Sequence, residues 1–347
     1  METIIGTWLH AETKDAESYY PQVGGAPSSS SFQSIYWRCV VLFYASSVRH
    51  NPEARHRLYT TVERIPNIGA FATGEFLERL GVEVVRVPFT YLPPPGYHGS
   101  WRNQFYILDI IKHLDQHGRD GEQFLVLDSD CIFTASARPI AAALSRHGLL
   151  TFDLNLGPDE NINGITRRDM RRIYQELGLS TPGESVPYYG GEFFAADVQA
   201  VRRLAAEVDP LWEVCLSRFR ESQPKFNEEA HFLSYLYTKL GYPCATANPF
   251  VARIWTGFKY RNASRDNFNT TIWHVPAEKK FGIKRLFRLA IQPDSAFWTV
   301  SPGPEFARLV AGFLGIPHSS LFKKSQDALD AVLWRVNSRR ARKQVTA

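Results

Sequence analysis

Apolar positions along the chain fall into short, nearly unbroken blocks spaced by turn residues and amphipathic stretches, as expected for strands buried on both faces and helices that cover them. Residues 37–45 (Trp-Arg-Cys-Val-Val-Leu-Phe-Tyr-Ala) predict a first buried strand, with a turn over 55–58 and a second strand over 58–62. A helix over 74–80 then leads into a strand over 82–87. Strand, helix and strand in that order predict the beginning of a doubly wound sheet. After the Pro93-Pro94-Pro95-Gly96 breaker, Ile107, Leu108, Ile111 and Leu114 recur at i, i+1, i+4 and i+7. That spacing predicts an amphipathic helix over 101–117, with Arg102 in its first turn.

The helix delivers the chain to Phe124-Leu125-Val126-Leu127, an apolar strand that stops at Asp128-Ser129-Asp130. Further strands are expected over 149–154 and 188–196, and helices over 166–177, 198–219 and 228–240. A terminal helix over 327–343 would carry Leu329, Val332, Leu333 and Val336 on one face and arginines on the other. Residues 1–35 show no such period, and Gly24-Gly25-Ala26-Pro27 with serines 28–31 mark a loop. The expected fold class is therefore α/β, a single Rossmann-like mixed sheet flanked by helices over 36–290. A flexible appendage over 1–35 would precede it, and a helical extension with a basic tail over 291–347 would follow.

Composition narrows the setting. A chain of 347 residues can bury a full core. Cys39, Cys131, Cys215 and Cys244 show neither CxxC nor zinc-finger spacing, which fits a reducing compartment. No basic-then-apolar leader and no run of about 20 apolar residues is present, so a cytoplasmic protein is expected. The net charge of +5 is local: residues 279–288 and 335–343 hold five basic and no acidic residues each, and without them 30 basic residues face 35 acidic ones. This distribution argues against a nucleic-acid partner and for defined phosphate contacts, with peripheral membrane contact open to the basic terminal helix.

The chemistry begins at Asp128 and Asp130. Ligands gather outside the carboxyl ends of strands in open α/β sheets, and paired Asp oxygens there suit Mg²⁺ or Mn²⁺. A turn or helix-cap role for the pair is the competing reading. A hard cation so held usually carries substrate phosphates as well.

Three segments in order, Asp128-Ser129-Asp130, then Tyr188-Tyr189-Gly190-Gly191-Glu192-Phe193-Phe194-Ala195-Ala196, then Asn227-Glu228-Glu229-Ala230-His231, resemble the GT-A glycosyltransferases. Within them the chain is most similar to the retaining histo-blood-group A and B transferases and α-1,3-galactosyltransferase, which carry an Asp-x-Asp, a Tyr-Tyr-x-Gly-Gly-Phe-Phe-Gly-Gly-like segment and a His-Asp-Glu-Ser-His run. The resemblance covers roughly residues 37–285 and implies a GT-A fold with a metal-dependent transfer of sugar from a nucleotide diphosphate donor to a hydroxyl acceptor, with retention. UDP-sugar would be favoured as donor, with GDP-sugar also admissible, and the acceptor would be a glycan, a lipid-linked sugar or a small-molecule hydroxyl.

Residue by residue, the resemblance implies that Asp128 and Asp130 hold the metal, with Asp128 also near the donor ribose. Glu229 would be the nucleophile or oxocarbenium stabiliser, and Glu228 would contact sugar hydroxyls. Gly190, Gly191 and Glu192 would shape the donor and acceptor pockets, where Glu192 replaces a small family residue. Lys279 and Lys280 would close over the diphosphate, and Arg102 would lie near the donor. In the glycogenin-like branch a late His completes the metal shell, a role that would fall on His274. The end of the first strand, Phe43-Tyr44-Ala45, would cradle the base. Rival readings are an inverting transferase using Glu228 or Glu192 as base, a sugar nucleotidyltransferase, and a non-catalytic carbohydrate-binding or scaffold protein of the same fold.

Overall fold

The first strand of the sheet lies well ahead of its expected position. In the computed structural model, which describes residues 1–12, 17–18, 20, 23, 26–100, 102–258, 260–329 and 331–332, β1 is Glu2–Leu9. Residues 2–9 are thus a central strand and no appendage. Parallel partners flank β1 on both sides: β2 (Arg55–Thr60), itself beside β3 (Val82–Arg86), and β4 (Glu122–Leu127). β7 (Phe193–Asp197) pairs antiparallel with β4 and with β6 (Leu149–Leu150), giving the order β3-β2-β1-β4-β7-β6. A second sheet, β5 (Cys131–Phe133), β9 (Ile272–His274) and β8 (Val251–Arg253), lies just past the end of β4, in the order β5-β9-β8.

Helices α1 (Ser30–His50), α2 (Thr73–Arg79), α3 (Tyr106–His117), α4 (Arg138–His147) and α5 (Arg167–Glu176) alternate with these strands. They are followed by α6 (Val198–Arg220), α7 (Glu229–Lys239), α8 (Gly282–Ala290), the short α9 (Ala296–Thr299) and α10 (Pro304–Leu314). Alternate residues of β4 face opposite layers: Phe124 and Val126 pack with α3, α6 and α7, whereas Leu125 and Leu127 pack with α1 and α4. Period-two alternation buried on both faces is what made the strand read as a continuous apolar run.

The same reading failed at 37–45, which is the middle of α1. One side of this helix (Val40, Phe43, Tyr44) packs on the main sheet, and the other (Cys39, Val41, Leu42, Ala45) packs among α8 and α10. A helix buried on opposite sides has no polar face, so no 3.6-residue period is left to distinguish it from a strand. Ser29 caps it by accepting a hydrogen bond from the Phe32 amide. Phe43, Tyr44 and Ala45 have no exposed surface and cannot cradle a nucleotide base. The Tyr44 hydroxyl instead donates to the Arg57 carbonyl of β2 and accepts from the Thr7 amide of β1 at 3.2 Å.

Elements α2, β3, β4, α5, α6 and α7 lie within a few residues of expectation, β2 begins over the expected turn at 55–58, and β5, α4, β8, β9 and α8 to α10 were not individually expected. The 101–117 helix resolves into a 3₁₀ turn (Arg102–Phe105) followed by α3, and the strand expected over 149–154 is only the two residues of β6. Thr166 and Asp169 form a reciprocal capping box at the start of α5. No helix among the described residues is long and apolar enough to cross a membrane. Of the expected helix over 327–343, residues 333–343 and 330 lie outside the described residues, and Leu329 and Val332 are exposed.

Tyr44→Phe should lower the unfolding free energy by about 1–3 kcal/mol, because the Thr7 amide and Arg57 carbonyl would be left buried without that partner. Nucleoside diphosphate affinity should not change. Urea denaturation and calorimetry read the two separately, and weakened nucleotide binding at unaltered stability would return Tyr44 to a binding role.

Candidate metal centre and adjoining clefts

Backbone pairing alone assembles most of the site. Leu127 pairs with Phe193 at the end of the β4–β7 ladder, and one step further the Asp128 amide donates to the Glu192 carbonyl at 3.0 Å. The chain then turns, with the Cys131 amide donating to the Asp128 carbonyl at 3.1 Å, and enters the second sheet. There Cys131 pairs with His274, and His274 pairs with Arg253. The Val275 amide donates to the Asp130 carbonyl at 3.1 Å. Residues 122 positions apart in sequence, Arg253 and Cys131, thereby share one row with His274 beside the Asp128-Ser129-Asp130 turn.

The side chains complete the arrangement. His274 Nε2 lies 3.2 Å from Asp130 Oδ2 and 3.9 Å from Asp128 Oδ2, and one ligand atom from each of the three residues falls within 4.8 Å of the others. Its other nitrogen, Nδ1, lies 3.1 Å from Glu192 Oε1. An imidazole backed by a carboxylate is the usual posture of a metal-ligating histidine. Two carboxylates and one imidazole suit Mn²⁺ and, less well, Mg²⁺. The residues present therefore fit the hard cation that the sequence pattern implies.

The site is buried, and its charges are paired. Asp130 and Glu192 are each 2% exposed. Burial alone would raise the Asp130 carboxyl, but Lys279, whose Nζ donates to its Oδ2 at 2.5 Å, and His274 hold it well below the usual carboxylate range. Glu192 is likewise held low against burial, by a bidentate pair with Arg253 and by His274. Burial would lower His274, but Asp130 and Glu192 outweigh it and push the imidazole up to about 9. Asp128, which burial and the neighbouring Asp130 act on in the same direction, is pushed up to about 6.

Two clefts meet at this cluster. The first runs beyond β1 and is lined by Trp8, His10, Glu12, Tyr20, Phe32 and Asn103 among others. The second is lined by Asn163, Tyr188, Glu192, Glu228, Glu229, Arg253 and Trp255 among others. Gln104, Asp128 and Lys279 line both. In the second cleft Glu229 opens α7 and is 4% exposed. With its amide turned so that the nitrogen faces Glu229, Gln104 donates to both of its oxygens, at 3.0 and 3.1 Å. Burial, then Glu228 and Asp128, push its carboxyl well above the usual range. A Cβ on Gly191 would overlap Glu229 Oε1, and one on Gly190 would overlap Glu192 Oε2, so both glycines permit the close approach of these carboxylates.

Glu228 accepts from the Tyr188 hydroxyl at 2.7 Å and from the Asn163 amide, with His231 Nε2 3.4 Å from its Oε1. Several expected roles need correction. Glu192 is not free to act as a base, because both its oxygens are committed to Arg253. Arg102 turns away to the Pro93 carbonyl at 2.6 Å and lines neither cleft. Lys280 donates to the Val23 carbonyl at 2.9 Å and, unlike Lys279, lines neither cleft. Phe43, Tyr44 and Ala45 are core. Sequence reasoning missed Gln104, Asn163 and Arg253; of these only Gln104, two residues from Arg102 in the same turn, lay near an expected residue.

No protein-family model matches the chain, and no curated protein sequence does. Solved structures that resemble it include the galactosyltransferase LgtC in complex with donor and acceptor sugar analogues, at 13% identity over 93% of this chain and 99% of that one, with a TM-score of 0.45. An active-site mutant of LgtC gives the same values. Mouse xyloside xylosyltransferase 1 in its apo form is similar at 9% identity, covering 79% of this chain and 97% of that one, with a TM-score of 0.46.

Glu192→Gln, which weakens the carboxylate behind His274, should cost about 10- to 100-fold in Mn²⁺ affinity, and Asp130→Asn, in the cluster itself, at least as much. Calorimetric titration of the purified variants with Mn²⁺ measures both. A folded Asp130→Asn protein with the parent's affinity would remove the metal assignment.

Proposed function

We propose that this protein is a divalent-metal-dependent glycosyltransferase of the GT-A type, moving a sugar from a nucleoside diphosphate donor to a hydroxyl acceptor with retention of configuration. The observation that carries the reading is the junction: a three-residue hard-cation site and Lys279 stand between a cleft walled by aromatic and apolar groups and a cleft walled by carboxylates. On this reading the nucleoside lies along the first cleft, the diphosphate at the junction and a hydroxylated ring in the second. A cation held by Asp128, Asp130 and His274 would supply Lewis-acid polarisation of diphosphate oxygens.

The chain's own residues account for the rest. Lys279, a point charge suited to phosphate, offsets the developing charge on the leaving group. Gln104 fixes the orientation of Glu229, whose charge is worth most when a cationic anomeric carbon forms in a site that excludes water. Retention is favoured over inversion because the two carboxylates that an inverting enzyme would use as base are tied: Glu192 to Arg253, and Glu228 to Tyr188 and Asn163. A sugar nucleotidyltransferase is disfavoured because the residues directly after β1, His10-Ala11-Glu12, form no glycine-rich basic loop. UDP- and GDP-sugars are the donors to test, and membrane contact through the basic terminal segment belongs to the same proposal.

Glu229→Gln should reduce kcat by orders of magnitude, at least about a hundredfold, with donor affinity little changed, since the charge acts only as the bond breaks. The parent should convert an α-linked donor to an α-linked product, visible at the anomeric proton by NMR. A β-linked product would refute retention, and near-parental activity in the variant would show that Glu229 is only a helix-start acid.

A further inference from the structure

Arg253 is a half-buried cation whose hydrogen-bonding is only partly used. Nε donates to Glu192 Oε1 at 2.5 Å and Nη2 to Glu192 Oε2, so the guanidinium plane is locked. Nη1 forms no hydrogen bond among the described residues, and the side chain, 27% exposed, lines the cleft that holds Asp128, Glu228 and Glu229. A guanidinium fixed along one edge and bare along the other is a preorganised donor. It is held from two sides, because Arg253 is also in register with His274 in the second sheet.

On the glycosyltransferase reading, and resting on it, we propose that Arg253 is the residue that reads the donor sugar, donating from Nη1 to a ring hydroxyl oxygen, and that the sugar is an uncharged hexose. The charge around the cleft decides between an uncharged sugar and a uronate. Asp128, Glu192, Glu228 and Glu229 line it, against Arg253, His274 and Lys279. Glu192 already neutralises Arg253, and Asp130 engages both Lys279 and His274. With the cation's charge taken up by the diphosphate, a carboxylate on the sugar would meet Asp128 and Glu228 and find each cation of the cleft already paired, whereas hydroxyls can donate to Glu228 and accept from Arg253 together. Glu192 acts here as a positioning residue, because its bidentate grip sets where Nη1 points. Arg102, the arginine expected to lie near the donor, is tied to the Pro93 carbonyl and leaves this task to a residue 151 positions later.

The test compares binding of a nucleoside diphosphate with binding of the same nucleotide carrying a sugar. With Mn²⁺ present, calorimetry identifies whether the parent binds UDP or GDP. Arg253→Lys should then keep that affinity within about twofold while losing about tenfold or more for the corresponding nucleotide hexose, since one charge-assisted hydrogen bond is worth that much. The KM for the donor should rise in step. Retained affinity for the bare nucleotide also reports that the variant is folded. Equal losses for both ligands, or no loss for either, would overturn the assignment and leave Arg253 as no more than the counter-ion of Glu192. A second measurement needs no variant: the parent should bind and hydrolyse UDP-glucose or UDP-galactose, or the GDP-hexose counterparts, in preference to UDP-glucuronate. Equal or better use of the uronate would overturn the uncharged-sugar inference while leaving the glycosyltransferase reading intact. A parent that binds neither nucleotide with Mn²⁺ and hydrolyses no donor would overturn both.

Discussion

The Glu192 carboxylate links the two sheets. It sits beside the end of β4, grips Arg253 of β8 with both oxygens and accepts from His274 of β9, so one buried anion holds three elements in register. From it the charges alternate: Arg253, Glu192, His274, Asp130, Lys279. An ion taken out of water costs several kcal/mol unless a partner compensates, and removing one member of a buried pair typically costs about 3–5 kcal/mol. The alternation therefore leaves no charge in this buried row without an opposite neighbour, and the same groups are those the proposed chemistry uses.

That constraint extends into the C-terminal part of the chain. Glu278, next to the lysine that holds Asp130, is itself 2% exposed and receives Lys323 Nζ at 3.0 and 3.1 Å, the Gly282 amide at 2.8 Å and the Thr256 hydroxyl. Lys323 also donates to Asp327 at 2.5 Å, and Asp327 in turn accepts from Arg285 of α8. The backbone that carries Lys279 is thus pinned by a segment much later in the chain. On its other side α1 separates the main sheet from α8 and α10, so the helix mistaken for a strand is the layer that joins the two halves of the core.

Glu229 illustrates how packing and chemistry share residues. Its approach to the cluster requires Gly191, its orientation comes from Gln104, and its neighbour Glu228 is immobilised by Tyr188 and Asn163. A carboxylate so placed is costly in the resting protein, since burial and then Glu228, Asp128 and Glu192 oppose its charge. Destabilised groups of this kind concentrate where a charge is wanted only in the transition state.

Much of this was legible in residue order. The strand that ends at Asp128 and Asp130, most of the elements from β2 to α7 except β5 and α4, and the acids opening α7 follow from local pattern, because strands buried on both faces and helix starts are written in consecutive residues. The chain could not reveal α1, whose burial on opposite sides erased its period, nor β1, whose short run at the very start contains Gly6 and two threonines. Nor could it show that Arg253 rather than Arg102 enters the cleft, or that Glu192 is a clamp. Those outcomes depend on which strands become neighbours in the second sheet, and on the demand that every buried charge find an opposite one. Both join residues far apart in sequence, 61 positions for Glu192 and Arg253 and 143 for Cys131 and His274, brought together only by the tertiary structure.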